Sequence, residues 1–129
     1  MPGIIVAQLV KPKQKVVAMC GDGSFLMNVQ ELETAIRLKL SIIIIIWCDQ
    51  DFGMISLKQS MEFGRSAFTE FNNPDFVKLA ESFGAIGYKV RSTREFFKIL
   101  EEAKKSTSVP MIISIDVDYS RNRILLENK

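Results

Sequence analysis

The stretch of this sequence best suited to chemistry is Gly21-Asp22-Gly23-Ser24-Phe25, which follows the apolar run Val16 to Cys20 without a break. Glycines let a backbone turn with positive φ and approach a ligand closely, and successive amides leading into a helix form a small cradle for an anion. A second acidic group follows the next long apolar run, in Cys48-Asp49-Gln50-Asp51-Phe52-Gly53-Met54, where Asp49 lies twenty-seven positions beyond Asp22. If the two runs are neighbouring parallel strands, both carboxylates emerge on one edge of the sheet and can share a cation.

A hard divalent ion such as Mg²⁺ takes near-octahedral oxygen ligation and commonly binds one or two carboxylates plus phosphate oxygens. Asp22, Asp49, a backbone carbonyl near Asp51 and two diphosphate oxygens meet that requirement, with the amides of Gly23 to Phe25 holding the diphosphate. Two plainer readings stand beside it. Gly-Asp-Gly is also the composition of a tight turn, and Asp49 or Asp51 could do no more than cap the helix that follows Gly53.

Histidine is absent, which removes Ser-His-Asp and Cys-His nucleophiles, histidine metal sites and the usual general base near neutral pH. Any catalysis rests on carboxylates, a metal or an organic cofactor. Seventeen Lys and Arg against fifteen Asp and Glu leave +2, and the basic residues are scattered, so no nucleic-acid partner is expected. Cys20 and Cys48 each close an apolar run, where free thiols sit as small buried residues; a disulfide is the minority reading. "MPGIIVAQLV" lacks the basic region and the length of a secretory signal, and "SIIIIIWC" falls far short of the ~20 apolar residues of a membrane span. A cytoplasmic protein without a membrane partner is expected.

The elements that must position these residues follow from hydrophobic patterning. With 129 residues and 47% hydrophobic content, residues 1–129 read as a single domain. Val16 to Cys20, Ile42 to Cys48 and Met111 to Val117 are continuous apolar runs without alternation, as in strands covered on both faces of a parallel sheet; "GYKV" at 87–90 is a shorter candidate. Helical spacing links Val29, Leu32, Ile36 and Leu40, with Asn28 and Glu31 in capping-box spacing. It also links Phe76, Val77, Ala80 and Phe83, with Asn73 as N-cap, Pro74 at the first helical position and Gly84 past the end. Phe96, Phe97, Leu100 and Ala103 form a third stripe, opened by Ser92 with Glu95 three residues on. The alternation predicts an α/β fold, a doubly wound, mostly parallel sheet with helices on both faces, whose ligands bind beyond the carboxyl ends of the strands. Trp47 and Met54 read as core or pocket lining, and Lys104 and Lys105 as a solvated helix end.

These residues together resemble the C-terminal, diphosphate-binding domain of thiamine diphosphate enzymes, whose motif is Gly-Asp-Gly followed some two dozen residues later by Asn-Asn. Within that group the chain is similar to catabolic acetolactate synthase in "ELETAIRLK", "FGRSA", "FVKLAESFGA" and "DVDYSRN". The resemblance implies thiamine diphosphate and Mg²⁺ as cofactors, Asp22 and Asp49 as side-chain metal ligands and Asp51 as a ligand through its main-chain oxygen. Gly21, Gly23, Ser24 and Phe25 would line the diphosphate; Phe52, Gly53 and Met54 would lie along the middle of the cofactor. The chain departs from the motif in having Cys48-Asp49 for Asn-Asn, and an added negative charge beside a diphosphate must be offset by the cation and the amide cradle. Catabolic acetolactate synthases also resemble it in carrying aspartate there, and Lys58 stands where biosynthetic relatives carry tryptophan.

The activity implied is decarboxylation of pyruvate and its condensation with a second pyruvate to 2-acetolactate. Family enzymes also need a glutamate from a separate pyrimidine-binding domain, which nothing here matches, so the isolated chain is expected to be inactive and to work with such a domain or subunit. "MPGIIVAQLVKPKQ" looks like the latter part of a family helix, as in a domain truncated at its N-terminus. Homo-oligomerisation is expected because family subunits pair through such domains. The alternative is a non-catalytic assembly module that self-associates without turnover. A receiver-like domain with acidic strand ends is a third option, one that would not demand the Gly-Asp-Gly and the second acid at this interval together.

Overall fold

The computed structural model describes residues 1–105 and 108–119. Four strands, β1 (Val17–Gly21), β2 (Ile43–Cys48), β3 (Ile86–Val90) and β4 (Met111–Asp116), form one parallel sheet in the order β1-β2-β4-β3. Their bounds fall within one residue of the apolar runs. Parallel neighbours need crossovers, which among the described residues carry α2 (Asp22–Leu26), α3 (Glu31–Arg37), α4 (Gly53–Phe63), α5 (Phe76–Ser82) and α6 (Thr93–Lys105), while α1 (Pro2–Val10) precedes β1.

Two clusters form the core, one on each face of the sheet. Ile44, Ile46 and Ile112 pack with Ile4 and Ile5 of α1, Phe25 of α2, Leu32 and Ala35 of α3, and Phe76 and Ala80 of α5. Alternate residues of the same strands, Ile43, Ile45 and Ile113, pack with Val90, Ile99 and Ala103 on the other face. Each fully buried isoleucine contributes about 1.5–3 kcal/mol of hydrophobic free energy, so the continuous run at β2 holds both layers together.

The expectation that β1 is also covered on both faces is corrected: Val17 is 46% and Met19 67% exposed. β1 is an edge strand, and the cluster gathered under α6 takes residues from β2, β3 and β4 but none from β1. Helix α4 buries no residue fully.

Local signals at helix ends are only partly realised. At α6 only half of the box forms: Ser92 Oγ accepts from Glu95 N (3.2 Å), while Glu95 Oε2 accepts from Arg91 N (2.8 Å), one residue before Ser92, rather than from Ser92 itself. Gly84 ends α5 in the left-handed region (φ 83°). By contrast, α3 starts at Glu31 with Gln30 as N-cap and no side-chain cap, while Asn28 closes a backbone turn to Glu31 N. Asp75, rather than Asn73, caps α5, its Oδ1 accepting from Val77 N (3.0 Å) and Lys78 N (3.2 Å). Lys104 pairs with Glu101 on the exposed end of α6. Among the described residues no helix is long and apolar enough to cross a membrane.

Candidate functional site

The chain passes from β1 into α2 without a loop, Gly21 serving as N-cap (φ −72°, ψ 159°) and Asp22 as the first helical residue. Asp22 is buried, at 1% exposure. Ionised groups are buried only when hydrogen-bonded or paired, and this one is met by four donors. Asp22 Oδ1 accepts from Gly23 N (2.8 Å), and Oδ2 accepts from Asp49 N (3.1 Å), Gln50 N (2.9 Å) and Asn73 Nδ2 (2.5 Å). The ends of β1 and β2 and the approach to α5 are thus tied to one carboxylate. In-register pairing of Gly21 with Trp47 puts both acids on the same sheet edge.

Asp49 is half-buried beside it. Burial, then the charge of Asp22, raises the Asp49 carboxyl above its ordinary value, while amide hydrogen bonds from Asp51 and Asp49 itself pull the other way. A Cβ on Gly53 would lie 3.1 Å from Asp49 Oδ2, so a glycine lets α4 begin close against that carboxylate. Asp51 forms an antiparallel bridge with Glu70, and its Oδ1 is buried without a hydrogen-bond partner. Neither acid caps α4, whose N-cap is Phe52 with no side-chain hydrogen bond.

The segment 50–52 is fixed by a second layer of contacts. Gln50 is left-handed (φ 59°), Phe52 N donates to Thr69 O (3.0 Å), Phe71 N donates to Gln50 O (2.9 Å), and the rings of Phe52 and Phe71 lie 4.9 Å apart. A Cβ on Gly23 would sit 2.7 Å from Phe52 Cε1. Gly23 therefore allows α2 to approach the Phe52 ring.

Between these segments opens a cleft of about 890 Å³ lined by Gly21, Asp22, Gly23 and Ser24 on one side and Asp49, Asp51, Phe52, Gly53 and Met54 on the other. The tenth expected residue, Phe25, is buried in the core with its ring edge-on to Phe76; its side chain is not part of the cleft wall. Trp47 and Met27 also line the cleft, as do Val117, Asp118 and Tyr119. Those last three follow β4, so the rule that sites gather at strand ends could have found them. Burial, then the charges of Asp49 and Asp22, raises the Tyr119 hydroxyl. The local pattern at Asn73 reads as a helix cap and carries no signal of its contact with Asp22. Ser120, Arg121 and Asn122, the end of the "DVDYSRN" match, lie outside the described residues.

Cys20 and Cys48 are free thiols. Burial foremost, with the charge of Asp22 next, pushes Cys48 up to about 11. Lys58 is exposed on α4. Among the described residues no three His, Cys, Asp or Glu side chains make a metal cluster by themselves, so a cation here would need further oxygens. The donor set still fits a hard divalent ion: it is all oxygen, two carboxylates crowd each other, and Asp51 Oδ1 is an unpartnered buried acceptor.

A parallel sheet that presents a glycine-flanked acid at one strand end and further acids at the next defines an α/β ligand-binding domain with its cleft at the strands' carboxyl edge. Residues 1–115 match the family "Thiamine pyrophosphate enzyme, C-terminal TPP binding domain", and the chain belongs to that family. It is 43% identical over 129 residues to the acetolactate synthase of Bacillus subtilis (strain 168), covering 100% of this chain and 22% of that protein. It is 39% identical over 126 residues to the catabolic acetolactate synthase of Raoultella terrigena, again covering 22% of the relative and 98% of this chain. The fold is similar to that of the thiamine diphosphate-dependent 4-hydroxybenzoylformate decarboxylase of Rhodococcus jostii RHA1, with TM-score 0.84 and 27% identity over 93% of this chain and 23% of that one. The chain thus spans about a fifth of the length of the acetolactate synthases it matches.

Proposed function

We propose that this chain is the diphosphate- and Mg²⁺-binding domain of an acetolactate synthase-like enzyme, one that condenses two molecules of pyruvate to 2-acetolactate with a pyrimidine-binding domain supplied by another segment or subunit. The observation that carries the reading is the buried Asp22 carboxylate, held by the backbone of the Asp49 loop at the mouth of the cleft. Asp22 and Asp49 would hold the cation by their side chains and Asp51 by its main-chain oxygen. The Gly23 amide is taken by Asp22 Oδ1, and the first-turn amides of Ser24 and Phe25, which lack i−4 acceptors within α2, would meet the diphosphate, with Gly21 and Gly23 lining it. Phe52, Gly53 and Met54 would flank the middle of the cofactor. Thiamine diphosphate, when bound, supplies the electron sink for decarboxylation. The chain's residues supply position, charge balance and an apolar wall formed by Trp47 and Met54.

The test is a chimera in which this chain replaces the matching segment of the Bacillus subtilis acetolactate synthase. The proposal expects 2-acetolactate from pyruvate by the chimera and none from the chain alone. A folded chimera that binds thiamine diphosphate but forms no 2-acetolactate contradicts it.

A second reading, a self-associating module without turnover, is favoured by the exposed apolar side chains of Val17 and Met19 on β1 and of Met54, Ile55, Met61 and Phe63 on or beside α4. Sedimentation separates the two. A clean monomer that does not respond to thiamine diphosphate rejects this second reading.

A further inference from the structure

The sheet opens a second crevice, on the side away from the acid corner. The connection leaving β2 leads to α5, which packs on one face of the sheet through Phe76 and Ala80, whereas the connection leaving β3 leads to α6, which packs on the other through Ile99 and Ala103. Strand β4 lies between these two strands. Segments that leave neighbouring parts of a sheet toward opposite faces part from each other beyond the carboxyl ends of the strands, and in open α/β sheets such gaps hold ligands.

A cavity of about 460 Å³ lies at that place. Trp47 from the end of β2, Val90 from the end of β3, Ile115 from β4 and Phe96 from α6 form its apolar walls, and Arg91 and Asp116 add charge beside them. Apolar and aromatic walls with a few polar groups, at this size, are the makeup of a small-molecule site. The two charges are not equivalent. Asp116 Oδ2 is already paired with Lys89 Nζ at 2.9 Å. Arg91 donates its backbone N–H to Glu95 Oε2, but among the described residues its guanidinium is in no ion pair. Its planar fork of donors matches a carboxylate.

We propose that this cavity is a second ligand site, one that takes a small monocarboxylate with an apolar body, its carboxylate on Arg91 and its body between Trp47 and Phe96. A neutral ligand would leave the guanidinium unused, and an ammonium would face Arg91 with the nearby acid already engaged by Lys89. The site is separate from the acid corner and does not depend on the reading of Asp22 as a metal ligand. Trp47 also lines the cleft beside Asp22 and Asp49, so one side chain borders both cavities.

Trp47 is the only tryptophan in the chain, and its fluorescence reports on the site directly. The experiment titrates the full chain with phenylacetate, with its neutral counterpart phenylacetamide and with the cation phenethylammonium. Phenylacetate is expected to change the emission saturably with a Kd of about 1 mM, and the other two to bind at least about tenfold more weakly. Arg91→Gln, at an exposed position, is expected to weaken phenylacetate about tenfold with an unchanged thermal melt. No saturable response to phenylacetate, or an equal response to phenylacetamide, overturns the proposal, as does undiminished binding by Arg91→Gln. Displacement of phenylacetate by thiamine diphosphate with Mg²⁺ would put the ligand in the first cleft and overturn the second site, while the reading of Asp22 stands.

Discussion

The backbone N–H of Asp49 donates to the carboxylate of Asp22 at 3.1 Å, joining residues 27 apart in sequence. This contact makes the ends of β1 and β2 one structural unit. It also sets two acidic side chains at one corner, so that burial first and the charge of Asp22 next hold the Asp49 carboxyl above its ordinary value and disfavour its ionisation. A cation would relieve that repulsion.

Asp22→Ala is expected to destabilise the fold as well as the site. Four donors lose their shared acceptor, and the Asn73 amide is left without its charged partner. A loss of about 2–4 kcal/mol is expected, read as a lower midpoint of urea unfolding.

Three glycines should respond differently to alanine. At Gly87 a Cβ would meet Val77 Cα at 2.6 Å and Val77 O at 2.9 Å, a backbone clash where β3 packs on α5. At Gly23 it would meet the Phe52 ring at 2.7 Å, and a ring can yield more than a helix can. At Gly21 nothing lies within 4 Å. Gly87→Ala should cost about 3 kcal/mol, Gly23→Ala about 1–2 and Gly21→Ala within about 0.5; thermal unfolding of the three variants gives the order.

The thiols supply a pH test. Cys48 ionises at about 11 in the folded chain against an ordinary 9.0, so the folded state keeps a proton that the unfolded chain releases first. A raised value means that stability is fully present below pH 9 and declines as pH rises from 9 to 11. Cys48→Ser should flatten part of that decline in denaturation measured at pH 8 and pH 10.5. At pH 8, Cys48 should also react with a disulfide reagent more slowly than a free cysteine, because thiolate is the reactive form.

Much of the fold was legible because its strongest signal is not local. A run of isoleucines at β2 has no polar face, and only a strand covered on both sides can bury it. The same reasoning misjudged β1, since apolar composition does not say whether a strand lies at a sheet's edge. The acidic pair was legible from strand-end logic and spacing. Asn73 was not: Asn before Pro reads locally as a helix start, and its actual partner is Asp22, 51 residues away. Phe25 belongs to the motif in sequence, but its ring is claimed by the core because α2 must bury one face against β2.

The most direct measurement of the central claim is calorimetry of thiamine diphosphate binding to this chain with Mg²⁺ and again with the metal chelated. Heat of binding that requires Mg²⁺, and that vanishes in Asp22→Ala, is the predicted result. Equal affinity with and without the metal would contradict the account.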